Sequence, residues 1–485
     1  MLSLGLPFLL PIAAVYASPT ARNVKDVCSQ IASAVSSASD VYQPLSIQYE
    51  SDIAHWAFSS TQRATCSVQP GTAEDVGKIL QIVGSTNTSF AVKGGGHASN
   101  PGFSSTTGVH ISMARWSNVT LSDDKSTVEV GAGLIWDDVY SALEDTGVNV
   151  VGGRVPGVGV AGFTLGGGYS WKTSQYGLTI DNIAAYELVL PNGTVTTVTE
   201  KDEDLWFALR GGGNNFGIVT KFTLVTHPQS DMVWGGLLTF TENAMEAISA
   251  ATANFSATNT DTKAAILPAY NHVLGAPGIS LILFYDAPEP PSGLFDAFLS
   301  ASHFTSDVKA RKFADLIQSV PATNPLEGPR AAFMTSSVLA YTPAILDMIV
   351  NMTKVVGLEL ASLDTAPFIS FDIEPFDSNL LSHGAPSAYP PDRSRGLLPT
   401  NLYFSWELPS LDAKIQGIMK DLSSQITAQA VAEGQDVADA FIYNNYALAD
   451  TPLEAIFGDN VARLRSIHNA VDPSNVMGLA GGFKF

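Results

Sequence analysis

Three things are scarce in this chain of 485 residues: cysteine, charge and long hydrophobic runs. Cysteine occurs only at Cys28 and Cys66, and neither has a second ligand at metal spacing, so no zinc site can be built from them. Charged side chains make up 15%, well below the ~25% of an average soluble protein. Cations are the rarer kind: 25 Lys and Arg against 46 Asp and Glu give 25 − 46 = −21. So acidic a chain is a poor partner for a phosphate backbone or an anionic membrane surface, which excludes nucleic-acid and membrane-surface roles. No apolar run reaches the ~20 residues that a membrane span needs. Seven of the eight histidines (His55, His110, His227, His272, His303, His383 and His468) show no H-E-x-x-H spacing, and no metal is expected. No G-x-S-x-G elbow is present either, so serine-hydrolase chemistry has no support.

What is present suits a secreted globular protein. Apolar residues make up 45%, enough for two or three domains with real cores. The apolar stretch Leu2 to Val15 ends in a cleavage pattern after Ala17, and residues 1–17 read as a signal peptide. Five N-x-S/T sequons, at Asn87, Asn118, Asn192, Asn254 and Asn351, are candidate glycosylation sites and point the same way. In an oxidising compartment Cys28 and Cys66 read as one disulfide.

The first half alternates strands and helices. A strand at 66–68 leads through Pro70-Gly71 to Thr72, which caps a helix with Asp75 three residues on as a capping-box variant. Val76, Ile79, Leu80 and Val83 share one face of that helix, and a strand returns at 89–93. A second passage runs from a strand at 126–130 into a helix carrying Ile135, Val139 and Leu143, stopped by Gly147. Short strands resume over 186–190, 195–198 and 216–225. Residues 232–440 change character, with aromatic strands at 368–371 and 401–406 between longer helices such as 411–432. A last helix presents Val461, Leu464, Ile467 and Val471 on one face. The pattern is α+β in two lobes: 28–225 with 447–485 returning to it, and 226–446 between.

Two glycine segments carry chemical information. Gly157 to Gly162 spells G-x-G-x-x-G, with Asp181 nineteen residues beyond, and so imitates a dinucleotide fingerprint. Gly166, Gly167 and Gly168 follow where that fingerprint needs a helix to open, so the Rossmann reading is set aside. Lys93-Gly94-Gly95-Gly96-His97-Ala98 directly follows a strand. Its glycines let successive N–H groups face an anion, and His97 can reach a ring beside the phosphates.

Eight colinear segments resemble one family. They are VKGGGHASNPG (92–102), VEVGAGLIWDDVYSAL (128–143), VPGVGVAGFTLGGGYSW (155–171) and YGLTIDNI (176–183), then DLWFALRGGGNNFGIVTKF (204–222), IEPF (373–376), YNNY (443–446) and FGDNVARLRSIHNAVDPSNVM (457–477). Together they make the chain similar to the berberine-bridge-enzyme-like branch of the vanillyl-alcohol-oxidase and p-cresol-methylhydroxylase superfamily. The resemblance implies an FAD-binding lobe over 28–225 and a substrate lobe over 226–446, built as an antiparallel sheet covered by helices. It implies covalent FAD on His97, with the pyrophosphate on the backbone of Gly94, Gly95, Gly96 and Ala98. Gly157, Gly159 and Gly162 would pass under the flavin ring, with Asn182, Ile218 and Val219 along the adenosine. Gly211, Gly212 and Gly213 would shape the fold rather than touch ligand.

One departure is informative. Many relatives bind the flavin a second time through a cysteine, and here Val155 stands in its place, which implies attachment by one histidine alone. Three positions on, Val158 occupies the site that gates oxygen in the family, and its compact side chain resembles the oxygen-reactive members.

Tyr443, Asn445 and Tyr446 match the Y-x-N-Y strand beside the flavin. A phenol with a pKa of about 10 needs help to act as a base, and aromatic wall is the plainer role. Glu374, Tyr403 and Glu407 are further candidates. The implied activity is oxidation of a small organic alcohol or secondary-metabolite intermediate by a monomeric enzyme, with hydride passing to FAD and O2 returning as H2O2. A carbohydrate oxidase and a non-redox flavin-containing cyclase or isomerase remain the alternatives.

Overall fold

The computed structural model describes residues 21–273, 275–320, 330–363, 365 and 368–485, so the expected signal peptide lies outside the described residues. Among the described residues no helix is long and apolar enough to cross a membrane.

The first lobe opens with helix Ala21–Ala34, tied to strand Cys66–Gln69 by the Cys28–Cys66 disulfide with the two Cα atoms 6.3 Å apart. Both cysteines are buried in the core against Val68, Val76 and Ile79. The bridge closes a separation of 38 residues, and constraining a loop of that length in the unfolded chain stabilises by about 4 kcal/mol. A Cys28→Ser/Cys66→Ser double variant is therefore expected to unfold at a clearly lower urea midpoint. An unchanged midpoint would mean that the bridge contributes nothing.

Strands Cys66–Gln69 and Phe90–Lys93 both run parallel to Val109–Ser112, with helix Ala73–Ser85 as the crossover. Asp40–Tyr42 adds an antiparallel edge. Thr72 caps the helix as its spacing implies, its Oγ1 accepting from the Asp75 N–H at 3.1 Å. The Asp75 carboxylate does not close the box. It turns instead to Ser36, Ser39 and Lys78, where four donors (the Ser36 N–H, the two hydroxyls and the Lys78 ammonium) outcompete one cap N–H.

A five-stranded antiparallel sheet follows, in the order Val119–Leu121, Thr127–Gly131, Ile218–Val225, Ile183–Val189, Val195–Val198. The segment that three glycines seemed to bar from helix does form one, Val160–Leu165. Gly159 caps its start and Gly166 receives its end, so the glycines terminate the helix instead of opening it.

The second lobe is a seven-stranded, wholly antiparallel sheet. Its order is Thr305–Arg311, Val233–Thr241, Ala276–Tyr285, Ala264–Val273, Phe368–Ile373, Leu398–Trp406, Arg330–Val338. Helices Met245–Thr258, Pro343–Ala361 and Asp412–Ala432 pack as one layer on a single face. Side chains alternate between faces with period two. Ile369, Phe371 and Ile373 are buried toward the helices, while Phe368, Ser370, Asp372 and Glu374 face the first lobe.

Two features join the lobes. A short antiparallel pairing of His227–Pro228 with Val148–Asn149 holds the chain where it crosses from one lobe to the other. Lys172 Nζ lies 3.0 Å from Asp286 Oδ2, both buried, and Gln175 and Gln229 fill the remaining lone pairs of that carboxylate. The tail closes back on the first lobe, where Ala480 bridges Phe90 and Asn215 Nδ2 donates to the Phe483 carbonyl.

Candidate active site

Between the lobes lies a cavity of about 490 Å³, lined from one side by glycine loops and from the other by the open face of the seven-stranded sheet. The two loops approach at their backbones: a Cβ on Gly95 would fall 2.5 Å from the Gly159 Cα, and one on Gly94 2.7 Å from the Ala132 oxygen. Only glycine permits that approach, and Gly96 adds a positive φ of 76°. The glycines thus set the loop across the cavity mouth with His97 at its end.

The His97 ring stacks on Trp56, with centroids 4.5 Å apart and planes 13° from parallel, and Phe333 continues the stack. Burial lowers the imidazole to about 4, so it is neutral at physiological pH. Its Nε2 is buried with no hydrogen-bond partner among the described residues. A neutral, oriented imidazole with an uncommitted ring nitrogen, on a glycine cradle open to the cavity, fits a covalently held flavin. No thiol competes, because both cysteines are in the disulfide.

Most of the expected flavin-side residues converge here. Gly94, Gly95, Gly96, Ala98, Val155, Val158, Gly159, Gly162, Ile218 and Val219 all line the cavity. Three expectations need correction. Gly157 sits outside, on an exposed turn at φ 81° whose N–H donates to Asp137 Oδ2. Asn182 is consumed by the fold: its Nδ2 donates to the Tyr176 and Leu178 carbonyls and its Oδ1 meets His227 Nε2 at 2.6 Å. Gly212 and Gly213, read as purely structural, line the cavity together with Asn214. The tail residues Gly482 and Phe483 were not anticipated and line it too.

On the substrate side, the Y-x-N-Y segment forms a short turn that presents both tyrosines to the cavity. Tyr446 donates to Glu374 Oε1 at 3.0 Å and accepts from Arg154 Nη2 at 3.0 Å. Arg154 Nη2 also lies 2.8 Å from Glu374 Oε2, with both side chains almost fully buried. Tyr443 has a different role: its oxygen accepts the Gly168 N–H at 3.1 Å and Asn445 Nδ2 at 2.8 Å. Asn445 spends its amide on that phenol and on the Phe163 carbonyl, so it positions Tyr443. Burial pushes both phenols above their usual range, and neither is a phenolate at neutral pH.

Glu407 is not part of this group: it is exposed, and its backbone N–H is bound to Thr365. Tyr403 lines the cavity as aromatic wall against Phe333 and Phe368. Two contributors escaped the sequence reading. They are Arg154, next to Val155 in the chain, and Asp372, two residues before Glu374 on the same face.

A cavity with a glycine-cradled, flavin-competent histidine on one wall and a tyrosine–carboxylate–arginine group on the other defines a flavin-dependent oxidoreductase of the two-lobed type. A family model described as an FAD binding domain matches residues 64–199, and one described as berberine and berberine-like matches 442–480. The FAD-dependent monooxygenase tpcD of Cochliobolus heterostrophus is 32% identical over 437 residues, 85% of this chain and 82% of that protein. An uncharacterized FAD-linked oxidoreductase of Arthroderma benhamiae is 36% identical over 285 residues, 57% of this chain and 56% of that protein. Among solved structures, a glucooligosaccharide oxidase from Acremonium strictum superposes with a TM-score of 0.76 at 16% identity, covering 94% of this chain and 97% of that one. That oxidase carries a 6-S-cysteinyl, 8α-N1-histidyl FAD. The chain belongs to the berberine-bridge-enzyme-like FAD-linked oxidoreductases and is an enzyme of that class.

Proposed function

We propose that the enzyme oxidises a small organic alcohol or secondary-metabolite intermediate, with FAD held covalently through His97 alone and reoxidised by O2. The observation that carries this reading is the buried Tyr446–Glu374–Arg154 group, facing the same cavity as His97. Bound FAD would supply the hydride acceptor and the route of the electrons to oxygen. The chain's own part is proton handling. The Tyr446 oxygen, already accepting from Arg154, has a lone pair left for a substrate hydroxyl, and its own proton points at Glu374. As the phenol takes the substrate proton, its own passes to Glu374. The Arg154 charge, no longer balanced by a carboxylate, then favours the developing substrate oxyanion.

Secretion is part of the same proposal. The asparagine of each of the five sequons is exposed, and the disulfide belongs to an oxidising compartment.

The test mixes photoreduced enzyme with aerated buffer in stopped flow. Rapid reoxidation with one peroxide per flavin is expected, and slower reoxidation in Val158→Leu, because Val158 is half-buried on the cavity wall. Slow reoxidation of the wild type would instead describe a dehydrogenase. Flavin that no substrate reduces, in a protein that still converts substrate, would describe the cyclase.

A further inference from the structure

Helix Pro343–Ala361 is the middle helix of the layer on the seven-stranded sheet, with Met245–Thr258 and Asp412–Ala432 on either side. Its sequence, PAILDMIVNMTKVVGLELA, is apolar almost all round, a composition that belongs to a helix covered on every side. Ile345, Leu346, Ile349, Met352, Val356 and Leu360 are buried as that composition requires. The outer row is not covered. Val355 is 56% exposed and Leu358 63%, and among the described residues they are the only exposed large apolar side chains that share a helix. The charges nearby lie at the borders of the row. Lys354 Nζ pairs with Glu242 Oε1 at 2.8 Å on one flank, and Lys414 Nζ with Glu359 Oε1 at 3.3 Å on the other.

The same row carries the sequon Asn351-Met352-Thr353, with Asn351 exposed. Asn351, Val355 and Leu358 stand at i, i+4 and i+7, one face of an α-helix that rises about 10 Å from first to last. Cα–Cβ bonds in a helix tilt toward its N-terminus. Val355 therefore leans back over the turn that carries Asn351, and Leu358 over the turn that carries Val355. A group attached to Asn351 Nδ2 starts beside the Val355 methyl groups. An N-linked glycan answers both demands of such a row. Its pyranose rings present C–H faces that pack on methyl groups, while its hydroxyls keep the outer side in water. A chain with 15% charged residues has few other means of keeping this face soluble.

We infer that Asn351 is an occupied glycosylation site whose first sugars lie on Val355 and Leu358 and shield that row from self-association. The inference rests on the secretory route proposed above, and it gives one of the five sequons a structural role. The helix layer covers the face of the sheet away from the cavity, so the glycan shields the surface without touching the redox site. Asn192 is the useful contrast. It sits in the turn between strands Ile183–Val189 and Val195–Val198, where its Oδ1 accepts the Thr194 N–H at 2.9 Å.

The test secretes the full chain from yeast behind a heterologous leader, so that it does not depend on residues 1–17. Export driven by residues 1–17 themselves tests the secretory reading separately. Peptide mass spectrometry after deglycosylation in heavy-oxygen water, which converts each occupied asparagine to labelled aspartate, should find Asn351 modified. Asn351→Gln is expected to lower, by about tenfold, the concentration at which light scattering reports self-association. That is the scale of burying one such side chain between two copies. Asn351→Gln/Val355→Gln/Leu358→Gln should restore the wild-type onset, which a glycan needed only for folding would not allow. Asn192→Gln should leave the onset unchanged. Stripping the glycans enzymatically from folded wild type and from folded Val355→Gln/Leu358→Gln repeats the comparison with Asn351 in place during folding, and only the wild type should then associate. Unmodified Asn351 in the exported protein overturns the inference, and a wild-type dimer in that state would assign the row to a second copy of the chain. An onset unchanged in Asn351→Gln and in the stripped wild type overturns it equally.

Discussion

Tyr446→Phe is expected to slow anaerobic flavin reduction by a saturating substrate by about 10²–10⁴-fold, the usual range for losing a positioned proton-transfer group. The substitution keeps the ring, which packs edge-on to Tyr443 and tilts against Phe333, so substrate affinity should change little. The loss belongs to the reduction rate and not to KM. Glu374→Gln should cost a similar factor, because the phenol alone, raised above its usual range by burial, has nowhere to pass its proton. The double variant should be scarcely slower than either single one, since two parts of one relay do not add. Tyr443→Phe should cost less. That oxygen serves as acceptor for the Gly168 N–H and Asn445, and among the described residues no carboxylate receives its proton. Rapid-scan flavin absorbance under argon measures all four variants. Reduction at the wild-type rate in Tyr446→Phe would move the base elsewhere, with Asp372 the next carboxylate on the same face.

The division of labour between the two tyrosines could not be read from the chain. On the strand expected for Y-x-N-Y, residues three apart point to opposite faces; the segment is instead a short helical turn over Asn444–Tyr446, which brings both tyrosines to the cavity. Arg154 makes the difference, and it lies 446 − 154 = 292 residues from the phenol it touches. Asp372 is another matter. Strand alternation places it on the face of Glu374, and that two-residue period was available in FDIEPF without any structure. Local signals succeeded where the geometry is local. The Gly94–Gly96 run after a strand, the Thr72 cap and the pairing of the only two cysteines each depend on a few neighbouring residues or on simple counting. Asn182 failed for the converse reason. An asparagine that satisfies carbonyls four and six residues back is bound to the fold before any ligand arrives. The tail left no signal at all, because Gly482 and Phe483 reach the cavity only through long-range packing against Asn214 and Asn215.

Acid precipitation of the wild-type protein should leave a yellow pellet, and His97→Ala should leave a white one with the flavin in the supernatant. Three features support His97 as the attachment point proposed above. Burial lowers its imidazole to about 4, so the nucleophilic neutral form prevails throughout the physiological range. Stacking on Trp56, which is itself stacked on Phe333, fixes the plane of the ring, so that little orientational freedom is lost on bond formation. The ring also retains a buried nitrogen that nothing in the fold satisfies. The glycine approach at Gly95 and Gly159 holds this ring against the cavity, so Gly95→Ala, which puts a methyl group 2.5 Å from the Gly159 Cα, should lower the covalent fraction while His97 is intact. Peptide mass spectrometry after proteolysis separates the two effects. A flavin-bearing peptide should cover 94–100 in the wild type, be depleted in Gly95→Ala and be absent in His97→Ala. Val155 carries no sulfur and both cysteines are bonded to each other, so no second flavin-bearing peptide should appear in any sample. Complete release of flavin from the wild type by acid would show that the cradle holds the cofactor by contacts alone, with His97 as a stacked wall residue.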